Sequence, residues 1–230
     1  MPFLDHLDEL RSRIIKILVA VCAGALLGYA ASGRGLSLLA RSAGELQSLS
    51  PLETFGVRIK LSVVIGLLLA LPFVLIQIWR FVAPGLYRNE QRIAMGLIVS
   101  STLCFVVGGA FSFLVVGPNA MRMLADFSPP EIANRWSVAK YVAFVLNLML
   151  AFGAIFEMPV AMFFLTKLGI VTPRLLRKKW RHAMVIIFIL AAIVTPPDVF
   201  TQVMLAIPLI LLYEVGILAS IAARPRRKTS

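Results

Sequence analysis

Acidic side chains are scarce: 11 Asp and Glu stand against 23 Lys and Arg in 230 residues, a net charge of +12. Cysteine and histidine are scarcer still, at two each. Cys22 and Cys104 both fall in apolar stretches with no second ligand at metal spacing, which argues against a disulfide framework or a zinc site. They read as small packing residues. No nucleophile–base pair is convincing when His6 and His182 are the only imidazoles. His-Glu-x-x-His, Gly-x-Ser-x-Gly, a Walker loop and the dinucleotide fingerprint are all missing, so an enzyme is the weaker class. The basic excess does not point to nucleic acid either, because it forms no basic patch with interleaved aromatics.

What is present is apolar. Hydrophobic residues make up 60% of the chain and mean hydropathy is +0.90, where a soluble domain runs nearer half apolar. The excess falls in blocks separated by short charged stretches, the pattern of helices crossing a hydrocarbon core about 30 Å thick. The expected fold is all-α and polytopic. A surface helix at 3–13 precedes six transmembrane helices at about 14–32, 59–81, 93–117, 138–166, 182–195 and 199–219. Residues 1–223 then form a single six-span membrane domain, and 224–230 a basic cytoplasmic tail. Asp5, Asp8 and Glu9 precede the first apolar block, where a signal peptide would be basic, so that block reads as a retained span. Ser50-Pro51-Leu52-Glu53 reads as a helix start, with Ser as cap and Pro at the first position. Pro72, Pro159 and Pro208 fall inside apolar blocks, where neighbouring helices can satisfy the freed carbonyls, and kinks are expected there.

Lys and Arg set the orientation. Sixteen of the 23 fall in segments 11–16, 80–92, 167–181 and 224–228, which the positive-inside rule makes cytoplasmic together with both termini. Trp79, Trp136 and Trp180 land at span ends, as in an aromatic belt. The fifth span is anomalous. Its roughly 14 residues cover about 21 Å, short of the core, so local thinning of the bilayer is expected at the hairpin it makes with the sixth.

Five carboxylates carry the functional reading. Glu157 sits deep in an apolar block, where an ionised carboxylate costs about 2.5–3.5 kcal/mol on insertion scales. Either it has a role, which is the default for such residues, or it is a structural carboxyl bonded to a neighbouring helix. Glu214, beside Tyr213, is equally well a packing residue or a functional one. Asp198 reads naturally as the N-cap of the last span, and Gln202 and Thr195 are placed to bond to a neighbouring span. Glu9, with Asp5 and Arg13 four residues to either side, reads on composition as an ordinary surface salt bridge. Glu90, after Asn89, reads as a complement to a helix N-terminus. Both carboxylates nonetheless stand on the cytoplasmic side near the membrane interface.

Taken in order, these segments resemble the TatC family, the multispanning receptor subunit of the twin-arginine protein translocase. The matching segments are His6-Leu7-Asp8-Glu9-Leu10-Arg11-Ser12-Arg13, Ser50-Pro51, Gln77-Ile78-Trp79-Arg80-Phe81-Val82-Ala83-Pro84-Gly85-Leu86-Tyr87 with Glu90, and Phe156-Glu157-Met158-Pro159. Thr195-Pro196-Pro197-Asp198-Val199-Phe200-Thr201-Gln202 and Ala206-Ile207-Pro208 to Tyr213-Glu214 complete the series.

The resemblance implies a cupped six-span bundle that binds the twin-arginine signal peptides of folded cargo. It implies that Glu9 and Glu90 contact the paired arginines, with Arg11 and Tyr87 shaping the site. It implies a periplasmic cap around Pro51, a Glu157 that points into the concave face, and a polar patch at Thr195 and Gln202 where single-span TatA/TatB-type subunits dock. Self-association in the complex, contact with membrane lipid, placement in the bacterial inner membrane and export driven by the protonmotive force, with no cofactor, complete the expectation. The rival reading is a proton-coupled small-solute secondary transporter using Glu157 and Glu214. The absence of a convincing repeat between 14–117 and 138–222 weighs against it.

Overall fold

A computed structural model describes residues 3–43, 46–82, 91–126, 135–194 and 199–223. The elements run α1 (Phe3–Ala43), β1 (Leu46–Gln47), α2 (Pro51–Val82), α3 (Gln91–Phe111), a π-helical turn (Ser112–Val116), α4 (Gly117–Asp126), β2 (Trp136–Ser137), α5 (Val138–Phe156), α6 (Met158–Lys167), α7 (Pro173–Lys178), α8 (Trp180–Val194) and α9 (Val199–Ala222). Five helical stretches among the described residues are long and apolar enough to cross a membrane: 7–42, 51–81, 95–126, 138–167 and 202–222. Residues 180–193 form a shorter apolar helix. The fold is an all-α polytopic membrane bundle. Its long helices expose large apolar side chains, with Leu26 at 80% and Leu27 at 72% on α1. Surface of that kind suits lipid, not water.

The surface helix expected at 3–13, the span at 14–32 and part of the loop after it are one uninterrupted helix of 41 residues. Nothing in this stretch breaks it. It holds no proline, and Ser32, Ser37 and Ser42 turn their hydroxyls back onto the carbonyls of Tyr29, Arg34 and Leu39. At 1.5 Å per residue α1 is about 61 Å long, twice the hydrocarbon core.

The chain divides into two compact units, 1–102 with 125–146 and 103–124 with 147–230. In the first, α1 and α2 pack backbone to backbone. A Cβ at Gly24 would lie 2.6 Å from the Gly66 carbonyl oxygen, one at Gly28 would lie 2.7 Å from that of Ser62, and one at Gly66 would overlap the backbone of Ala25. Lipid tails are as apolar as leucine, so helices in a bilayer associate through close approach of small residues rather than by hiding from water. Trp79 does not join an aromatic belt. It is 7% exposed and donates its indole N–H to Ser101 Oγ at 3.3 Å. A partnered indole can be buried without loss, which is why a tryptophan at a span end does not by itself mark the interface.

The same unit carries a small parallel ladder, with Leu46 opposite Trp136 and Gln47 opposite Ser137. Glu53, in the first turn of α2, fastens it. Its carboxylate accepts from Leu49 N–H at 2.5 Å, Ser137 Oγ at 2.5 Å and Ala139 N–H at 2.8 Å. Pro51 is the first residue of α2, where a missing N–H costs nothing.

In the second unit glycine again sets the packing. A Cβ at Gly108 would meet the Phe152 carbonyl oxygen at 2.6 Å, and one at Gly153 would meet the Phe105 ring at 2.7 Å. Phe111, Phe152 and Phe156 cluster with ring centroids 5.7–6.5 Å apart. The π-helical turn precedes Pro118, which has no N–H for a regular bond to Leu114. Gly117 N–H instead reaches Ser112 O, the wider spacing of a π bulge. The span expected at 138–166 is divided at Glu157 into α5 and α6. Pro72 and Pro208 lie inside helices that run on without interruption.

Candidate functional site

Four of the residues singled out in the sequence, Tyr87, Glu90, Thr195 and Asp198, lie outside the described residues, as does the tail 224–230. The others can be placed.

Glu9 and Arg13 stand one turn apart on α1, where i and i+4 side chains meet. Arg13 donates from Nε to Glu9 Oε1 at 3.0 Å, and its Nη2 bonds the same oxygen. Its Nη1 donates to Gln77 Oε1 on α2 at 3.0 Å. Gln77 is 6% exposed, so the third bond anchors the pair to a buried acceptor. This is more than the plain surface salt bridge that composition suggests. The sequence places Gln77 in a family segment but assigns it no role; the signal for one was a lone amide in the apolar run before Trp79.

Arg11 is not brought to Glu9. Two residues along a helix is a turn of about 200°, which puts it on the opposite side of α1. There it lines an open groove of about 340 Å³ with Asp8, Ser12, Ile15 and Lys16.

Glu157 is the single residue between α5 and α6, at φ −69° and ψ −18°. Its N–H bonds Ala154 O at 3.2 Å and its carbonyl accepts from Ala161 N–H at 2.8 Å. The break has a local cause. Pro159 has no N–H to give Ile155, and its ring would press on that carbonyl. Both carboxylate oxygens of Glu157 are buried.

At the other end of the second unit, Glu214 Oε1 accepts from Trp180 Nε1 at 3.0 Å. Tyr213 donates its hydroxyl to Leu176 O at 2.8 Å. These two bonds tie α9 to α7 and to the start of α8. Gln202 donates from Nε2 to Phe188 O at 3.0 Å across the short hairpin of α8 and α9. Thr166 and Ser220, both buried, share a hydroxyl bond of 2.5 Å between α6 and α9.

Long apolar helices with polar groups at their ends and at one helix break define a polytopic membrane protein. The profile of the family described as Sec-independent protein translocase protein (TatC) matches residues 5–208. The TatC protein of Escherichia coli K12 is 38% identical over 226 residues, spanning 95% of this chain and 88% of its own length. That of Aquifex aeolicus is 37% identical over 237 residues, spanning 99% and 98%. A crystal structure of the twin-arginine translocase receptor TatC superposes with a TM-score of 0.83 at 38% identity, covering 95% of this chain and 99% of that one. The chain belongs to the TatC family. It is accordingly the multispanning receptor component of the twin-arginine translocase, a multi-pass protein of the bacterial inner membrane, and neither an enzyme nor a solute transporter.

Proposed function

We propose that Glu9 and Glu90 together grip the two arginines of a twin-arginine signal peptide at the cytoplasmic surface. In this reading six spans, with α8 as the fifth, place both termini in the cytoplasm. The short hairpin docks single-span TatA/TatB-type subunits, copies of the chain associate in the complex, and the protonmotive force drives export. Tyr87 flanks the grip, Arg11 faces away from it on the other side of α1, Pro51 opens the periplasmic cap, Thr195 and Gln202 belong to the docking patch, and Asp198 caps the last span.

One observation carries the grip. In the folded chain Glu9 already holds a guanidinium, Arg13, through two of its nitrogens. A carboxylate set for one planar fork is set for another of the same shape, and bonds between two ionised groups are roughly twice as strong as neutral ones. An ammonium cannot reproduce the fork. The test is site-specific photo-cross-linking from positions beside Glu9 and Glu90 to a signal peptide in membranes. A twin-arginine peptide is expected to cross-link and a twin-lysine peptide to lose most of the yield. Equal yields from both would overturn the grip.

We also propose a proton-linked role for Glu157, supported by its buried oxygens at a helix break. A Glu157→Gln protein is expected to insert normally but to show slowed export and a flattened dependence of export on pH. Unchanged export with an unchanged pH response removes the role.

A further inference from the structure

Between Glu157 and Asp198 the sequence holds six Lys and Arg and no Asp or Glu. Five of the six, Arg174, Arg177, Lys178, Lys179 and Arg181, fall in residues 174–181, on α7 and the start of α8, and all five are exposed. None is paired with a carboxylate among the described residues. The acid that the fold brings to this end is Glu214, and it already accepts from Trp180 Nε1 at 3.0 Å. The segment is held in place. Thr172 caps α7 by accepting from Leu175 N–H at 3.2 Å, and Tyr213 donates to Leu176 O at 2.8 Å. The result is a fixed concentration of positive charge that repels itself until an anion covers it.

A solvated face accounts for the charge but not for the apolar side chains set among the cations. Ile170, Leu175 and Trp180 are all exposed there, Ile170 at 62%. Beyond them α8 exposes Val185, Ile186, Ile189 and Ile193, a stripe that in a membrane protein meets hydrocarbon. Val185 lies four residues past Arg181, about 6 Å along the helix. That is close to the depth of one headgroup layer, about 5–8 Å. The cations therefore stand at the level of lipid phosphates, directly above the acyl chains.

We propose that residues 174–181 form a binding site for anionic phospholipid headgroups gathered around the start of α8. The arginines present forks to the phosphates and the lysines add point charges, while Leu175 and Trp180 rest on the upper acyl chains. An acidic protein segment or a nucleic acid would satisfy the charge, but neither supplies the hydrocarbon that Ile170, Leu175 and α8 face. Charge complementarity and apolar surface together fit a lipid.

The experiment places the full chain in phosphatidylcholine vesicles, with Cys22 and Cys104 replaced by serine and a fluorophore attached through Leu175→Cys. Quenching is titrated with phosphatidylglycerol or phosphatidylcholine that carries a nitroxide near the top of one acyl chain. Phosphatidylglycerol is expected to associate at this position about fivefold more strongly than phosphatidylcholine, or better, fivefold being the weight of one basic side chain at an anionic surface. In Arg177→Gln/Lys178→Gln/Lys179→Gln the preference is expected to fall within twofold. The five side chains are exposed and hold no partner that the fold needs, and Arg174→Gln/Arg181→Gln serves if the triple variant fails to insert. Salt at 1 M, where screening shortens to about 3 Å, is expected to lower the preference of the unsubstituted cluster in the same direction. Equal quenching by the two lipids overturns the proposal and leaves the cluster to an acidic protein segment or to solvent. A preference that persists unchanged in the charge variants overturns it as well, because the selectivity then arises elsewhere on the chain.

Discussion

Glu9→Gln combined with Glu90→Gln is expected to reduce capture of a twin-arginine signal peptide by about a hundredfold or more. Each substitution removes the charge from one charge-assisted pair, and truncating one partner of such a pair costs about 2–5 kcal/mol when it is buried. Glu9 is one-third exposed on its side chain, so the lower end applies, near a factor of ten or more per site. The two sites act on separate arginines and their losses should roughly add in free energy. Glutamine keeps the volume and can still accept from a guanidinium, so the loss reports charge rather than shape. The measurement is retention of a purified signal peptide on membranes containing each variant, titrated against salt. Wild-type retention is expected to weaken with added salt. Retention within twofold of wild type in the double variant would remove both carboxylates from the site.

Gly66→Leu is expected to prevent α1 and α2 from docking, at a cost of ~3 kcal/mol or more, the upper end of what overpacking does. Gly66 has no room even for a methyl group, because the obstacle is the backbone of Ala25 and Gly24, which cannot rotate aside. Separating the helices by the width of a side chain also breaks the bond from Arg13 to Gln77 and the bond from Arg58 Nε to Ser32 Oγ at 3.2 Å. Thermal melting in detergent and protease resistance should both fall sharply. Gly96→Ala is the matched control. It has nothing within 4 Å of an added Cβ and should be neutral or gain about 0.5–1 kcal/mol from helix propensity. If Gly66→Leu melts like Gly96→Ala, close approach does not hold the first unit together.

The all-α polytopic class was legible because apolar blocks of span length have few alternatives in a chain this hydrophobic. Boundaries at the outer ends were not. The stretch from Gly33 onward looks like loop by its Ser and Gly content, yet it continues α1, because its serines can satisfy their hydroxyls on the helix's own carbonyls. The break at Glu157 was half legible. Pro159 announced a disturbance within the block, but only the backbone shows that the carboxylate itself occupies the gap. Gly24-Ala25-Leu26-Leu27-Gly28 is a small-xxx-small motif and could have pointed to the α1–α2 contact. Its partner Gly66 lies 38 residues beyond Gly28, and no local pattern joins them.

The candidate site was legible in its acids and illegible in its wiring. Glu9 stood out because carboxylates are few. What surrounds it depends on a glutamine 64 positions beyond Arg13, and only the packing of two helices brings the two together. Gln202, singled out as a polar group facing a neighbouring span, does bond across its hairpin to Phe188 O. Glu214 was left between packing and function, and its bond to Trp180 supplies the packing half of that choice.

The unbroken length of α1 has a mechanical consequence. A rod with no joint carries a disturbance from one tip to the other, as a tiller does. Glu9 lies near its first tip, and the strand Leu46–Gln47 follows a few residues past the other. Over about 60 Å, a tilt of about 5° swings the far tip by about 5 Å, roughly the spacing between paired strands. A small nudge at the tip that carries Glu9 is thereby large enough, at the other tip, to pull Leu46 and Gln47 away from Trp136 and Ser137.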